Sequence, residues 1–199
     1  QKEQIIKTNP FCDVLYMSAT PLPRSLQLSL SEQRNISLIS TPPLSKKQII
    51  TRVYFYNKNL IKEAVYNETS RGGQVFVVDK SVSNVRSSFS FINEAFPLLR
   101  VACLYSSLNF DVIKKTMAAF RSKKIDILVS TTIIESGIDV GGANTIIINN
   151  ADFFGLSQLY QLRGRVGRSS VQAHAFLFVD KKKTSGATLR LKSLIKNQS

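Results

Sequence analysis

Residues 158–168 read QLYQLRGRVGR and hold two arginines, Arg165 and Arg168, three positions apart and each directly after a glycine. A guanidinium presents planar, paired N–H donors that match phosphate oxygens. Two of them beside amide side chains suit a polyphosphate. With Ser157 as a helix N-cap and about 100° per residue, Gln158, Gln161, Arg165 and Arg168 fall within an arc of about 80°. Leu159, Leu162 and Val166 fall on a separate face suited to packing inward. Gly164 and Gly167 loosen such a helix, so the angles hold best over its first half. Arg163 lies about 140° from Gln158 and is left out of the phosphate-facing set. Taken alone, the string fits a solvated basic face equally well.

The elements that must position these residues can be read from apolar periodicity. Residues 49–56, 74–78, 100–105, 125–130, 145–150 and 173–179 have strand character, and several are unbroken apolar runs. Residues 59–70, 83–95 and 109–120 have helical spacing, and a further helix starts at Ser157. Gly72-Gly73 closes the first of these helices. Continuous apolar strands that alternate with helices predict an α/β fold, a parallel sheet with helices on both faces. Ligands of such sheets bind beyond the carboxyl ends of the strands, so the loops after Val78, Tyr105, Ser130 and Asn150 are the first places to look. Residues 13–19 form another short apolar run that ends at Thr20-Pro21-Leu22-Pro23, and Thr41-Pro42-Pro43 forms a second stiff connector. Residues 184–196 look helical and basic.

Composition narrows the function classes. Lys and Arg total 27 against 13 Asp and Glu, a net charge of +14, which favours a polyanionic partner such as nucleic acid. The two cysteines, Cys12 and Cys103, lie in apolar runs without a CxxC neighbour and read as core residues of a reducing compartment. One histidine, His174, is too few parts for a zinc site or a His-based triad, so no metal site is expected. No apolar run approaches a membrane span, and a cytoplasmic location is expected. The opening QKEQIIK is neither a signal peptide nor an obvious start, and the chain reads as a piece of something longer.

Two parts of a nucleotide enzyme are missing from these 199 residues. There is no GxxxxGK[ST] phosphate cradle, and no Asp-Glu pair to hold Mg²⁺ and aim a water. Arginines can act on a phosphoryl group from a separate domain. The combination predicts one half of a two-lobed motor.

Longer motifs agree. Ser18-Ala19-Thr20, the run from Thr131 to Val140 (TTIIESGIDV) and the run from Ala151 to Arg168 (ADFFGLSQLYQLRGRVGR) resemble motifs III, V and VI of superfamily 2 helicases and translocases. The likeness extends over residues 1–195 and is to the second RecA-like lobe. Within the superfamily the chain is most similar to the transcription-repair coupling factors, with the RecG branch-migrating helicases next. Thr41-Pro42-Pro43 and Ser169 tilt it toward the former. The resemblance implies that residues 1–30 end the first lobe and its linker, that 31–183 form the RecA-like helicase C-terminal domain, and that 184–199 begin a helical extension.

The resemblance also implies roles. Arg165 and Arg168 face the γ-phosphate of ATP bound on the other lobe, and Gln161 orders that surface. Gly137 and Asp139 lie near the nucleotide, Thr131 and Thr132 touch the DNA backbone, and Ser18 and Thr20 couple nucleotide state to DNA grip. ATP and Mg²⁺ are held mainly by the missing lobe, so this chain alone is expected to be inactive. The implied partners are double-stranded DNA, the first lobe and, for a coupling factor, stalled RNA polymerase. Where relatives carry a His-Gly pair followed by Met, this chain has Tyr105-Ser106-Ser107-Leu108. A different class of function, a non-catalytic basic module that binds nucleic acid on the same scaffold, stays open. The arginine spacing argues against it, because gripping DNA phosphates does not require that spacing.

Overall fold

A computed structural model of the chain describes residues 15, 37, 39, 47–132, 142–167 and 170–180. The chain divides into two compact units, Gln1–Leu38 and Ile39–Ser199. All the regular structure described lies in the second. The expectations for residues 13–23 (apart from Leu15), 41–43 and 184–196 fall outside the described residues, as do Ser18, Thr20, Gly137, Asp139 and Arg168.

Six strands form one sheet, β1 (Ile50–Phe55), β2 (Gln74–Val78), β3 (Val101–Leu104), β4 (Ile127–Ser130), β5 (Ala143–Ile148) and β6 (His174–Val179). Their order is β1-β6-β5-β2-β4-β3, and every pairing is parallel. Among the described residues four helices connect them, α1 (Lys58–Ser70), α2 (Val82–Ala95), α3 (Phe110–Arg121) and α4 (Leu156–Arg163). The predicted α/β architecture is the observed one.

The strand QVFVV shows why the runs are unbroken. All five residues of β2 are buried. Val75 and Val77 pack with Ile61, Ala64 and Val65 of α1 and with Val85 and Ile92 of α2. Phe76 and Val78 point the other way, into a cluster with Met117 and Phe120 of α3 and Leu159 and Leu162 of α4. A strand covered on both faces favours apolar side chains throughout, and the one polar residue, Gln74 at its start, is buried with its amide donating to Phe120 O and Ile125 O at 2.7 Å. Each large apolar side chain enclosed in this way contributes about 1.5–3 kcal/mol.

Local caps set the helix limits. Asn57 Oδ1 accepts from the Asn59 amide at 2.9 Å, and Asn109 Oδ1 accepts from Asp111 at 2.9 Å. At the far end of α1, Gly72 takes φ +74. A Cβ on Gly73 would lie 1.7 Å from Glu68 Oε1. Glu68 is 2% exposed, and its carboxylate receives the Thr145 hydroxyl and the Arg71 guanidinium. Arg71 also donates to the Gln172 carbonyl at 2.8 Å, which ties the end of α1 to the segment before β6.

Strand register brings the functional loops to one edge. Val78 pairs with Ser130 and with Ile148, and Leu104 pairs with Ser130. The residues that follow, Asp79, Tyr105, Thr131 and Asn149, therefore emerge level with one another. Strand β5 stops at Ile148, short of the expected Asn150, because Asn150 adopts φ 50 and opens a short 3₁₀ turn over Ala151–Phe153. Asparagine tolerates this left-handed geometry, and Asn84 Nδ2 fixes it by donating to Asn150 Oδ1 at 3.1 Å.

Candidate functional site

The arginine segment differs from the simple helix drawn from its sequence. Helix α4 is capped at Gly155 and begins at Leu156, so Ser157 is not its N-cap. Gln158 Oε1 accepts from the Gly155 amide at 3.0 Å, which engages that side chain at the start of the helix. Leu159 and Leu162 are buried, as their spacing predicts. The helix ends at Arg163. Beyond it the Arg165 amide donates to Leu162 O at 3.0 Å and the Val166 amide to Arg163 O at 3.4 Å, each across three residues. The chain has tightened out of the α-helix, so the arc of about 80° does not extend to Arg165.

Arg165 thus stands on a turn just past α4, half-buried, while Gln161 is exposed on the helix's last turn. The structure brings these two to the same end of α4 and leaves Gln158 at the other. Val166 is 0% exposed and anchors the turn in the core. Gly167 then takes φ +75, and a Cβ there would lie 3.0 Å from Ala173 Cβ and 3.2 Å from Ile49 Cγ1. The backbone that leads into Arg168 therefore passes where only glycine fits comfortably. Arg163 turns away to its own helix, its guanidinium 4.9 Å from the centre of the Tyr160 ring. Burial lowers its pKa from the ordinary arginine value.

The two threonines after β4 differ in access. Thr131 is 8% exposed, its Oγ1 is enclosed, and its amide donates to Leu104 O at 3.2 Å. Thr132 is half-buried. Of the pair, Thr132 presents more surface at the strand edge. Beside it the loop Tyr105-Ser106-Ser107-Leu108 closes as a turn, with the Leu108 amide on Tyr105 O at 3.1 Å. The Arg86 guanidinium lies 5.6 Å from the Tyr105 ring. On the loop after β2, Lys80 Nζ stands 3.4 Å from the centre of the exposed Phe153 ring. Basic groups thus accompany aromatic rings along the edge formed by β2, β3 and the turn after β5.

One residue at this edge was not singled out from sequence. Asp79, the first residue after β2, is 1% exposed, and burial raises its carboxyl pKa. The neighbouring Ser88 and Asn149 side chains moderate that rise. The available signal was its position, a carboxylate directly after the apolar run Val75–Val78. Near the opposite edge, His174 begins β6, where burial and the nearby Arg71 and Arg52 lower its pKa.

Residues 56–170 match the helicase conserved C-terminal domain. The chain belongs to this family. It is 43% identical over 98% of its length to a transcription-repair-coupling factor of Myxococcus xanthus, and covers 16% of that protein. It is 46% identical over 89% of its length to a chloroplastic ATP-dependent DNA helicase of Arabidopsis thaliana, and covers 22% of it. Among solved structures, RecG bound to a three-way DNA junction superposes with a TM-score of 0.77 at 35% identity, over 92% of this chain and 25% of that one. The chain is therefore a helicase C-terminal domain of RecA-like fold, homologous along nearly its whole length to transcription-repair coupling factors. It spans about one-sixth to one-quarter of the proteins it matches. Among the described residues no helix is long and apolar enough to cross a membrane.

Proposed function

We infer that this chain is the C-terminal motor lobe of an ATP-dependent double-stranded-DNA translocase, of the kind that displaces stalled RNA polymerase and aids repair. The observation that carries the reading is 43% identity to a transcription-repair-coupling factor over 98% of the chain. ATP and Mg²⁺ are held mainly by a first RecA-like lobe, and closure of the two lobes brings Arg165 and Arg168 to the γ-phosphate. The site must assemble at closure, because a cationic clasp without its phosphate cradle accelerates nothing. Gln161, at the same end of α4 as Arg165, orders that surface. Gly137 and Asp139 lie on the nucleotide side, and Ser18 and Thr20 relay its state. Thr131 and Thr132 meet the DNA backbone, and Thr132, the more accessible of the two, does so through its hydroxyl. Backbone contact carries no sequence information, so movement is largely independent of sequence. The expected setting is the cytoplasm.

The likeness to RecG on a three-way junction supports a second reading, a motor for branched DNA. One experiment separates them. The complete protein is given a stalled transcription complex and, in parallel, a forked DNA, with ATP. Release of the transcript without fork unwinding supports the coupling-factor reading. Fork unwinding without release overturns it in favour of the second.

A further inference from the structure

A cavity of about 360 Å³ opens at the carboxyl ends of β1, β2, β5 and β6. Its volume lies at the low end for ligand pockets and far above the ~30 Å³ of one water. Asp79 and Asn149 form its floor, 1% and 3% exposed. Asp79 Oδ2 and Asn149 Oδ1 are enclosed and accept from no donor among the described residues. Two buried acceptors on one cavity call for a guest that donates hydrogen bonds. One acceptor is a carboxylate, and a buried carboxylate calls for a positive guest.

The walls agree with such a guest. Among the described lining residues, the carboxylates of Asp79 and Asp180 outnumber the ammonium of Lys58 by one, within a chain of net charge +14. Lys58 Nζ sits 5.1 Å from the centre of the Phe91 ring, and neither ion pair among the described residues involves Asp79. Tyr56, Phe91 and Val179 give apolar surface for an alkyl stem. We propose that this cavity binds an organic cation, a primary ammonium or guanidinium group on a short alkyl chain. The proposal is independent of the motor reading. Its occupant is either a free amine or a lysine or arginine side chain of another polypeptide segment, and the shared chemistry is the cationic donor.

The 199-residue chain, labelled with ¹⁵N, is titrated with butylammonium, butylguanidinium and uncharged butanamide at 150 mM salt. Capped arginine and capped lysine amides serve as a second arm. The side-chain amides of Asn84, Asn149 and Asn150 report. The cations should give saturable shifts with Kd of about 1 mM, at least tenfold weaker in Asp79→Asn, and butanamide should give none. Register sets Val78 opposite Ile148, so positions 79 and 149 are neighbours on adjacent strands. Moving the charge across in the double variant Asp79→Asn with Asn149→Asp should restore binding. That rescue separates a lost charge from a damaged fold. Tighter binding of the capped residues assigns the site to a polypeptide partner, and tighter binding of the butyl compounds to a free amine. Absence of saturable shifts in the wild type, or equal affinity in Asp79→Asn, overturns the proposal. So does binding that appears only in Lys58→Met, since Lys58 would then be the occupant.

Discussion

The two glycines of the arginine turn make opposite demands, and replacing each with alanine tests the geometry. Gly167 has φ +75, where an L side chain costs about 1–2 kcal/mol. Its new Cβ would meet Ala173 Cβ at 3.0 Å and Ile49 Cγ1 at 3.2 Å, and both neighbours are packed against the sheet. Overpacking of that kind costs roughly 1–3 kcal/mol. Together Gly167→Ala should destabilise by about 2–5 kcal/mol, a large part of the 5–15 kcal/mol typical of a domain. At about 2–4 °C per kcal/mol for this size, Tm should fall by roughly 4–20 °C. Gly164 has φ −68 and ψ −5, an ordinary right-handed conformation, and its Cβ would meet only the Tyr160 and Gln161 carbonyls at 3.3 and 3.6 Å. Gly164→Ala should therefore change stability by about 1 kcal/mol or less, in either direction. Thermal and urea unfolding of both variants would decide. Equal stability of the two, or a Gly167→Ala protein as stable as the parent, refutes the claim that the left-handed turn before Arg168 requires glycine.

Other consequences are open to measurement. Gly73→Ala should cost about 2–4 kcal/mol in urea unfolding, because the new Cβ displaces Glu68 from Thr145 and Arg71; a loss under about 0.5 kcal/mol contradicts it. Asp79 has its folded pKa raised by burial above 3.8, so the ionised folded form is disfavoured and stability falls as pH rises through that window. Asp79→Asn should then raise Tm at pH 7, with the gain shrinking as pH is lowered toward 3.8, and a gain that does not depend on pH speaks against it. DNA binding by this chain alone should weaken steeply with added salt, and a flat response would argue against any phosphate-tracking surface.

Much of this fold was legible because the double-sided sheet leaves a plain mark. In β2, both alternating sets of side chains meet helices, so Val75–Val78 is an unbroken apolar run and the one polar residue, Gln74, stands at its start. The end of α1 was readable at Gly72-Gly73, where φ decides the boundary. The arginine segment was less legible. Its apolar positions Leu159, Leu162 and Val166 keep helical spacing after the helix has ended, because Val166 still packs inward from a turn. Spacing alone does not distinguish those two ways of burying a side chain. The buried carboxylate of Glu68 left no local signature, and that of Asp79 only its place directly after β2. Glu68 meets its partner Thr145 across 77 positions of sequence, and Asp79 meets Asn149 only through strand pairing. Such contacts depend on register between distant strands, which no short window of sequence contains.

The central claim is that the paired arginines complete an ATP site belonging to another lobe. It is tested most directly by steady-state ATP turnover with saturating double-stranded DNA, using this chain joined to its own upstream lobe and the same protein carrying Arg168→Ala. A fall on the order of 10³-fold in turnover, with little change in DNA affinity, is the predicted result. Turnover that survives the substitution would contradict the claim and leave a basic nucleic-acid-binding module in its place.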